Sequence, residues 1–217
     1  MLDPNKFKIV KIIVALKQLI ETTTSEDYVN LTEAVKRVTH IANVMLNAKG
    51  VWFKNNKTIE SIDFPLDFSA TNNITDYFTG TTNLKTMVGF VSTRYIVYFN
   101  RAFNGSGIVS IQNPFDMSSA ATSYATTFTQ GAYYLEEIRF VRETIGSNMA
   151  LKDNSRLSVE SAKSILLGLK NYKGTNYEFY YTISFHNNTW VLLEAEGATA
   201  PGNITWEDYV TEIGWNK

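Results

Sequence analysis

Leu84-Lys85-Thr86-Met87, Ile108-Val109-Ser110-Ile111 and Leu135-Glu136-Glu137-Ile138 repeat one pattern, two apolar residues bracketing two others. Each copy follows an aromatic anchor by 5 to 7 residues, and the anchors Phe78, Phe103 and Phe128 are spaced 25 residues apart. An earlier copy stands at Ile59-Glu60-Ser61-Ile62. A fixed period in the twenties is the mark of a solenoid, in which every coil supplies one strand and one returning segment. Phe64-Pro65-Leu66-Asp67-Phe68-Ser69 aligns with Asn113-Pro114-Phe115-Asp116-Met117-Ser118 two periods later. The proline ends a strand because it has no N–H to donate to a ladder. The aspartate and serine bond nearby backbone and shape the turn. The second coil is the least regular, since Arg94-Tyr95-Ile96-Val97-Tyr98-Phe99 is β-like where the other coils are polar.

Upstream of the repeats the spacing changes from strand-like to helical. Phe7, Val10, Ile13, Leu16 and Ile20 recur every three or four residues and predict a helix over residues 4–20, with Pro4 in its first turn. Ile9, Ile12 and Leu19 widen the apolar surface beyond one stripe. A second helix is expected from Leu31 to Leu46, with Asn30 and Glu33 as a capping box and Val35, Val38 and Ile41 on its buried face. Residues 1–50 therefore read as a helical hairpin whose excess apolar surface predicts a homo-oligomer, a trimer being favoured. Downstream, helices are expected at Leu157–Leu169 and at Ile204–Ile213, the latter capped by Thr205, with a short helix or turn over Trp190–Glu196 and an alternating strand over Tyr177–Phe185. This last region reads as the cap that an open repeat stack requires. The expected fold is thus α+β: a helical hairpin (1–50), a leucine-rich-repeat-like β-solenoid (51–156) and a C-terminal α/β cap (157–217).

Composition narrows the functional classes. The chain of 217 residues carries 20 basic and 21 acidic residues, for a net charge of −1. These charges are interspersed, without the concentrated basic face that nucleic-acid binding needs. No stretch reaches the roughly 18 apolar residues of a membrane span, so membrane insertion is not expected. Lys8, Lys11 and Lys17 interrupt the apolar N-terminal run, which departs from the pattern of a secretory signal. Cysteine is absent, which removes thiolate ligands, disulfides and cysteine nucleophiles.

The usual catalytic constellations fare no better. His40 and His186 stand apart, with no His-x-x-x-His pairing for a metal. Gly105-Ser106-Gly107 has Ser110 where a dinucleotide fingerprint needs a third glycine, so a tight turn accounts for it better. No Gly-x-Ser-x-Gly elbow occurs. Glu136-Glu137, Asp63 with Asp67, and Glu207-Asp208 are the available carboxylate pairs, but glycoside hydrolysis needs two carboxyls facing one cleft. Glu136 and Glu137, adjacent on a strand, should face opposite sides. No catalytic residue, metal or cofactor is expected. The aromatic content of 13% is the feature with binding potential. Tyr77, Tyr124, Tyr133 and Tyr134 fall near predicted coil corners, where rings can stack on sugars or fill protein interfaces.

Coils of aromatic, polar turn, Leu-x-x-Ile and x-x-Pro-x-Asp resemble BspA-type leucine-rich repeats, over about residues 57–169. Such repeats occur in surface proteins of gut bacteria and in virion proteins of their phages. Separately, Thr22-Thr23-Thr24 through Val29-Asn30-Leu31-Thr32-Glu33-Ala34-Val35 is similar to the leader of phage fibre and tail-associated proteins. Together these resemblances imply a non-enzymatic virion protein of head-fibre, capsid-decoration or tail-fibre type, assembled in the host cytoplasm. Its expected partners are sister subunits, other virion proteins, and host-surface or mucosal glycans. The rival reading is a bacterial cell-surface adhesin, and a carbohydrate-active enzyme is a third.

Overall fold

The computed structural model of the chain describes residues 40–42, 46–47, 53–63, 65–67, 72–91, 93–120, 130–195 and 200–217. Its frame grows from the apolar–x–x–apolar quartets. Ile59 and Ile62, Leu84 and Met87, Ile108 and Ile111, Leu135 and Ile138 are all buried. Between them, Glu60, Lys85, Thr86 and Glu137 point to solvent. In the third quartet Ser110 is buried as well, but a pair that mostly stays outside between two inward anchors suits a chain turning a corner, and only very short strands fit there. β1 (His40–Ala42), β3 (Ser61–Asp63), β5 (Thr86–Met87) and β7 (Ser110–Ile111) form a parallel sheet in that order. Ser61 pairs with Thr86, and Thr86 with Ser110. β2 (Leu46–Asn47), β4 (Leu66–Asp67) and β6 (Phe90–Val91) form a second parallel sheet. Single bridges carry both ladders onward, Ser110 to Glu137 and Phe115 to Phe140.

Parallel pairing places equivalent residues of successive repeats over one another. The Phe53, Phe78 and Phe103 rings consequently stack nearly face to face, at 5.2 Å and 5.0 Å between centroids. Phe90 packs on Phe115 at 4.8 Å, and Phe115 on Phe140 at 5.7 Å. Burying each ring contributes about 1.5–3 kcal/mol, and each aromatic pair about 0.5–1.5 kcal/mol more. The backbone stacks with the rings: Phe78 N–H donates to Ala102 C=O, and Gly80 N–H to Asn104 C=O, both at 2.8 Å.

A ladder that simply stopped would leave a row of unpaired amides. Here the helix α1 (Val159–Gly168) closes it. Ser158 caps the helix by accepting from Ser161 N–H, and its own N–H donates to Glu136 C=O at 2.9 Å. Ser161 Oγ accepts from Ile138 N–H, and Ser164 Oγ accepts from Phe140 N–H, both at 3.0 Å. Serines spaced by three thus satisfy strand donors that another strand would otherwise take. Beyond α1, β8 (Met149–Leu151) pairs in parallel with β9 (Ile183–Phe185). α2 (Asn187–Ala195) packs on α1. α3 (Trp206–Glu212) is capped by Thr205, which accepts from Asp208 N–H.

These findings correct the expected fold. The described residues form an α+β arrangement of three helices and two- to three-residue parallel strands in small sheets. A leucine-rich-repeat solenoid, with one strand and one return per coil, is not what they make: successive repeats here supply strands to two separate sheets. Within the span expected for the helical hairpin, the described residues are strands, and the rest of residues 1–50 lies outside the described residues. β1 lies inside the span expected for the second helix, and β2 begins at its last residue. Pairing of Ile41 with Ile62 overrides a periodicity that is helical only in one dimension. The strand expected over Tyr177–Phe185 shrinks to Ile183–Phe185, because residues 177–180 form turns.

The serine closure is directly testable. Replacing Ser161 and Ser164 together by alanine strands one buried and one part-buried N–H group, the buried one costing about 1–3 kcal/mol. Urea unfolding should show a midpoint lowered accordingly, and an unchanged midpoint would contradict this account of the edge.

Candidate functional site: an aromatic platform near the C-terminus

The tyrosines expected at the surface divide. Tyr77 is buried beside Phe78, so its placement at a ligand-facing corner is corrected: its ring belongs to the core. Tyr124 lies outside the described residues. Tyr133 and Tyr134 are exposed, as a surface role requires. Tyr134 is already engaged, with Lys85 Nζ 5.4 Å and Arg156 Cζ 5.3 Å from its ring centre. Of the residues expected to drive oligomerisation, Phe7, Val10, Ile13, Leu16, Ile20, Val35 and Val38 lie outside the described residues. Ile41 sits in β1, which pairs within the chain.

The other candidates for chemistry settle into structural roles. Leu135 and Ile138 both point inward, so Glu136 and Glu137 both face outward rather than to opposite sides. Glu137 accepts from Ser110 Oγ at 2.6 Å, and Glu136 lies 3.9 Å from Arg156. Asp116 accepts from Ser118 N–H and shapes its turn. His186 Nδ1 accepts from Asn188 N–H at the start of α2. Gly107 is needed because a Cβ there would sit 2.0 Å from the Thr82 carbonyl oxygen. Among the described residues, no cluster of three or more His, Asp or Glu could hold a metal. No helix among them is long and apolar enough to cross a membrane.

A larger aromatic surface lies where the alternating strand was expected. The segment Tyr177-Glu178-Phe179-Tyr180-Tyr181 places Tyr177, Phe179 and Tyr180 outward, at 52%, 48% and 68% exposure. Tyr181 turns inward against Trp215, with ring centres 5.7 Å apart. Tyr180 stands edge-on to Tyr181, and Tyr177 stacks on Tyr181 at 6.0 Å. Tyr172 completes the group, 5.2 Å from Tyr181.

The platform is pinned from below. Trp215 Nε1–H donates to Lys170 C=O at 2.7 Å, and Tyr172 O–H to Gly146 C=O at 3.1 Å. Phe179, held at φ 57°, donates its N–H to Gly214 C=O at 2.7 Å. Lys173 pairs with Glu212 at its border. Rings that project from a fixed turn lose little entropy on binding, and a tyrosine offers both an apolar face and a polar rim. Sequence reading missed the platform because four aromatics in five residues also fit a strand pattern. The signal available was their excess over what one buried strand face holds.

Burial raises the Tyr181 phenol above its ordinary value, reinforced by Tyr177 and Tyr180. It raises Tyr172 likewise, with Tyr181 and Tyr177 adding to the effect. Comparison of the chain with protein-family models, curated proteins and solved structures finds no match.

The raised phenols set an alkaline limit. Above pH 10 the unfolded chain releases these protons while the folded chain retains them, so the unfolded state binds fewer protons and stability falls with pH. Ultraviolet titration should show a tyrosine fraction ionising later than the rest, with unfolding free energy declining as the pH rises above 10. Uniform ionisation of all tyrosines would contradict the burial described.

Proposed function

We propose that this chain is a non-enzymatic structural protein of a bacteriophage particle, of fibre or decoration type, which presents its α+β body outward for adhesion to glycans. The observation that carries the adhesive part is the Tyr177–Phe179–Tyr180 platform: three exposed rings on a turn fixed by backbone and indole hydrogen bonds. Sugars offer apolar C–H faces rimmed by hydroxyls, which matches rings carrying phenolic hydroxyls. The in-register core supports this reading, because a stiff frame holds such rings at fixed spacing. The phage assignment rests on the resemblance of Thr22–Val35 to fibre leaders, and that segment would join sister chains and anchor them to other virion proteins.

Two measurements test the reading. A glycan array probed with the full chain should return a set of bound sugars, and Tyr177→Ala with Tyr180→Ala should weaken that binding at least about tenfold, a loss of roughly 1.4 kcal/mol. Light scattering of the same sample should give a multiple of the chain mass. An array without hits, or binding indifferent to both substitutions, would refute the adhesive assignment; a monomer would refute the assembly.

A further inference from the structure

An open cleft of about 800 Å³ lies between the end of the ladder, one face of α1 and the 200–206 segment leading into α3. Its walls follow from local geometry. Glu160, Lys163, Ser164 and Leu167 recur at helical spacing and so share one face of α1. Opposite them, Arg139 and Arg142 flank the turn that follows the last ladder bridge. Asn203 and Trp206 close the third side.

The charge of this cleft departs from that of the chain. Among the described residues three cations line it against one carboxylate, and that carboxylate is engaged: Glu160 pairs with Lys163 at 3.3 Å. Neither Arg139 nor Arg142 forms an ion pair among the described residues. Trp206 is only 6% exposed, yet its indole N–H has no acceptor among the described residues. Arg142 also lies close enough to Tyr209 to oppose the rise that burial and Glu143 impose on that phenol. Two guanidinium groups without an ion-pair partner among the described residues give this recess its cationic character.

We propose that this cleft binds a carboxylate-bearing sugar of the hexuronic-acid class, in a short oligosaccharide. The planar fork of a guanidinium matches a carboxylate in bidentate geometry. The volume accommodates several sugar rings, far more than a free inorganic anion fills. Asn203 and Ser164 supply neutral partners for hydroxyls, while Leu167 offers an apolar surface to a ring face. Glu160 disfavours a doubly charged phosphate more than it disfavours a single carboxylate. The site is separate from the tyrosine platform and does not depend on it.

Isothermal titration of the full chain with trigalacturonate tests the assignment. Binding tighter than about 1 mM is expected, with neutral trigalactose binding at least about tenfold more weakly. Arg139→Gln with Arg142→Gln removes two charge-assisted contacts and should weaken trigalacturonate binding at least about tenfold. Both arginines act through exposed side chains, and circular dichroism confirms that the variant folds. Tyr177→Ala with Tyr180→Ala should leave this affinity unchanged, which separates the cleft from the platform. The proposal is overturned by absence of binding, by equal affinity for the neutral sugar, by inorganic phosphate binding as tightly, or by a double-glutamine variant that binds like the parent. It is equally overturned if the tyrosine variant loses the affinity.

Discussion

Register between successive repeats is the constraint on which everything else in this protein rests. Phe53, Phe78 and Phe103 overlap ring on ring only because the backbone beside each pairs in parallel with the next at a fixed offset. A slip of one residue would drive the anchors Ile62, Met87 and Ile111 into solvent and bring charged Lys85 or Glu137 inward. The two-residue strands contribute little hydrogen bonding of their own. It is the apolar anchors on both sides of each corner, buried in every repeat, that hold register.

Such a stack needs an end, and the way it ends creates the functional surfaces. α1 lies across the last strand with Ser158, Ser161 and Ser164 facing the ladder and Glu160, Lys163 and Leu167 lining the cleft. Ser164 belongs to both, since it meets Phe140 and also borders the cleft. The helix that satisfies the strand edge therefore also builds one wall of the cationic recess. The β8–β9 pair and the Trp215–Tyr181 contact then position the aromatic platform. Closure of the ladder and presentation of ligand-facing groups come from one stretch of chain.

Much of this was legible in the sequence, because it depends on local spacing. The quartets at Ile59, Leu84, Ile108 and Leu135 predict buried anchors, and all four pairs are buried. Thr205 reads as a cap and acts as one. What misled was periodicity without partners. Val35, Val38 and Ile41 have helical spacing, yet Ile41 pairs in a ladder, since a strand register depends on residues some twenty positions away. Tyr77 and Tyr133 look alike in sequence, but one points inward and the other outward, which only the path of the corner decides. The cationic cleft was invisible because Arg139, Lys163 and Trp206 come from three separated segments.

Hydrogen exchange on the native chain addresses stacking in register most directly. Val88, Asn113 and Val141 each donate an N–H to a carbonyl in the preceding repeat. If the repeats are held as one in-register body, these amides should exchange at similar rates, with protection approaching that of global unfolding. Exchange of any of them at the rate of an exposed loop would contradict the stacked core.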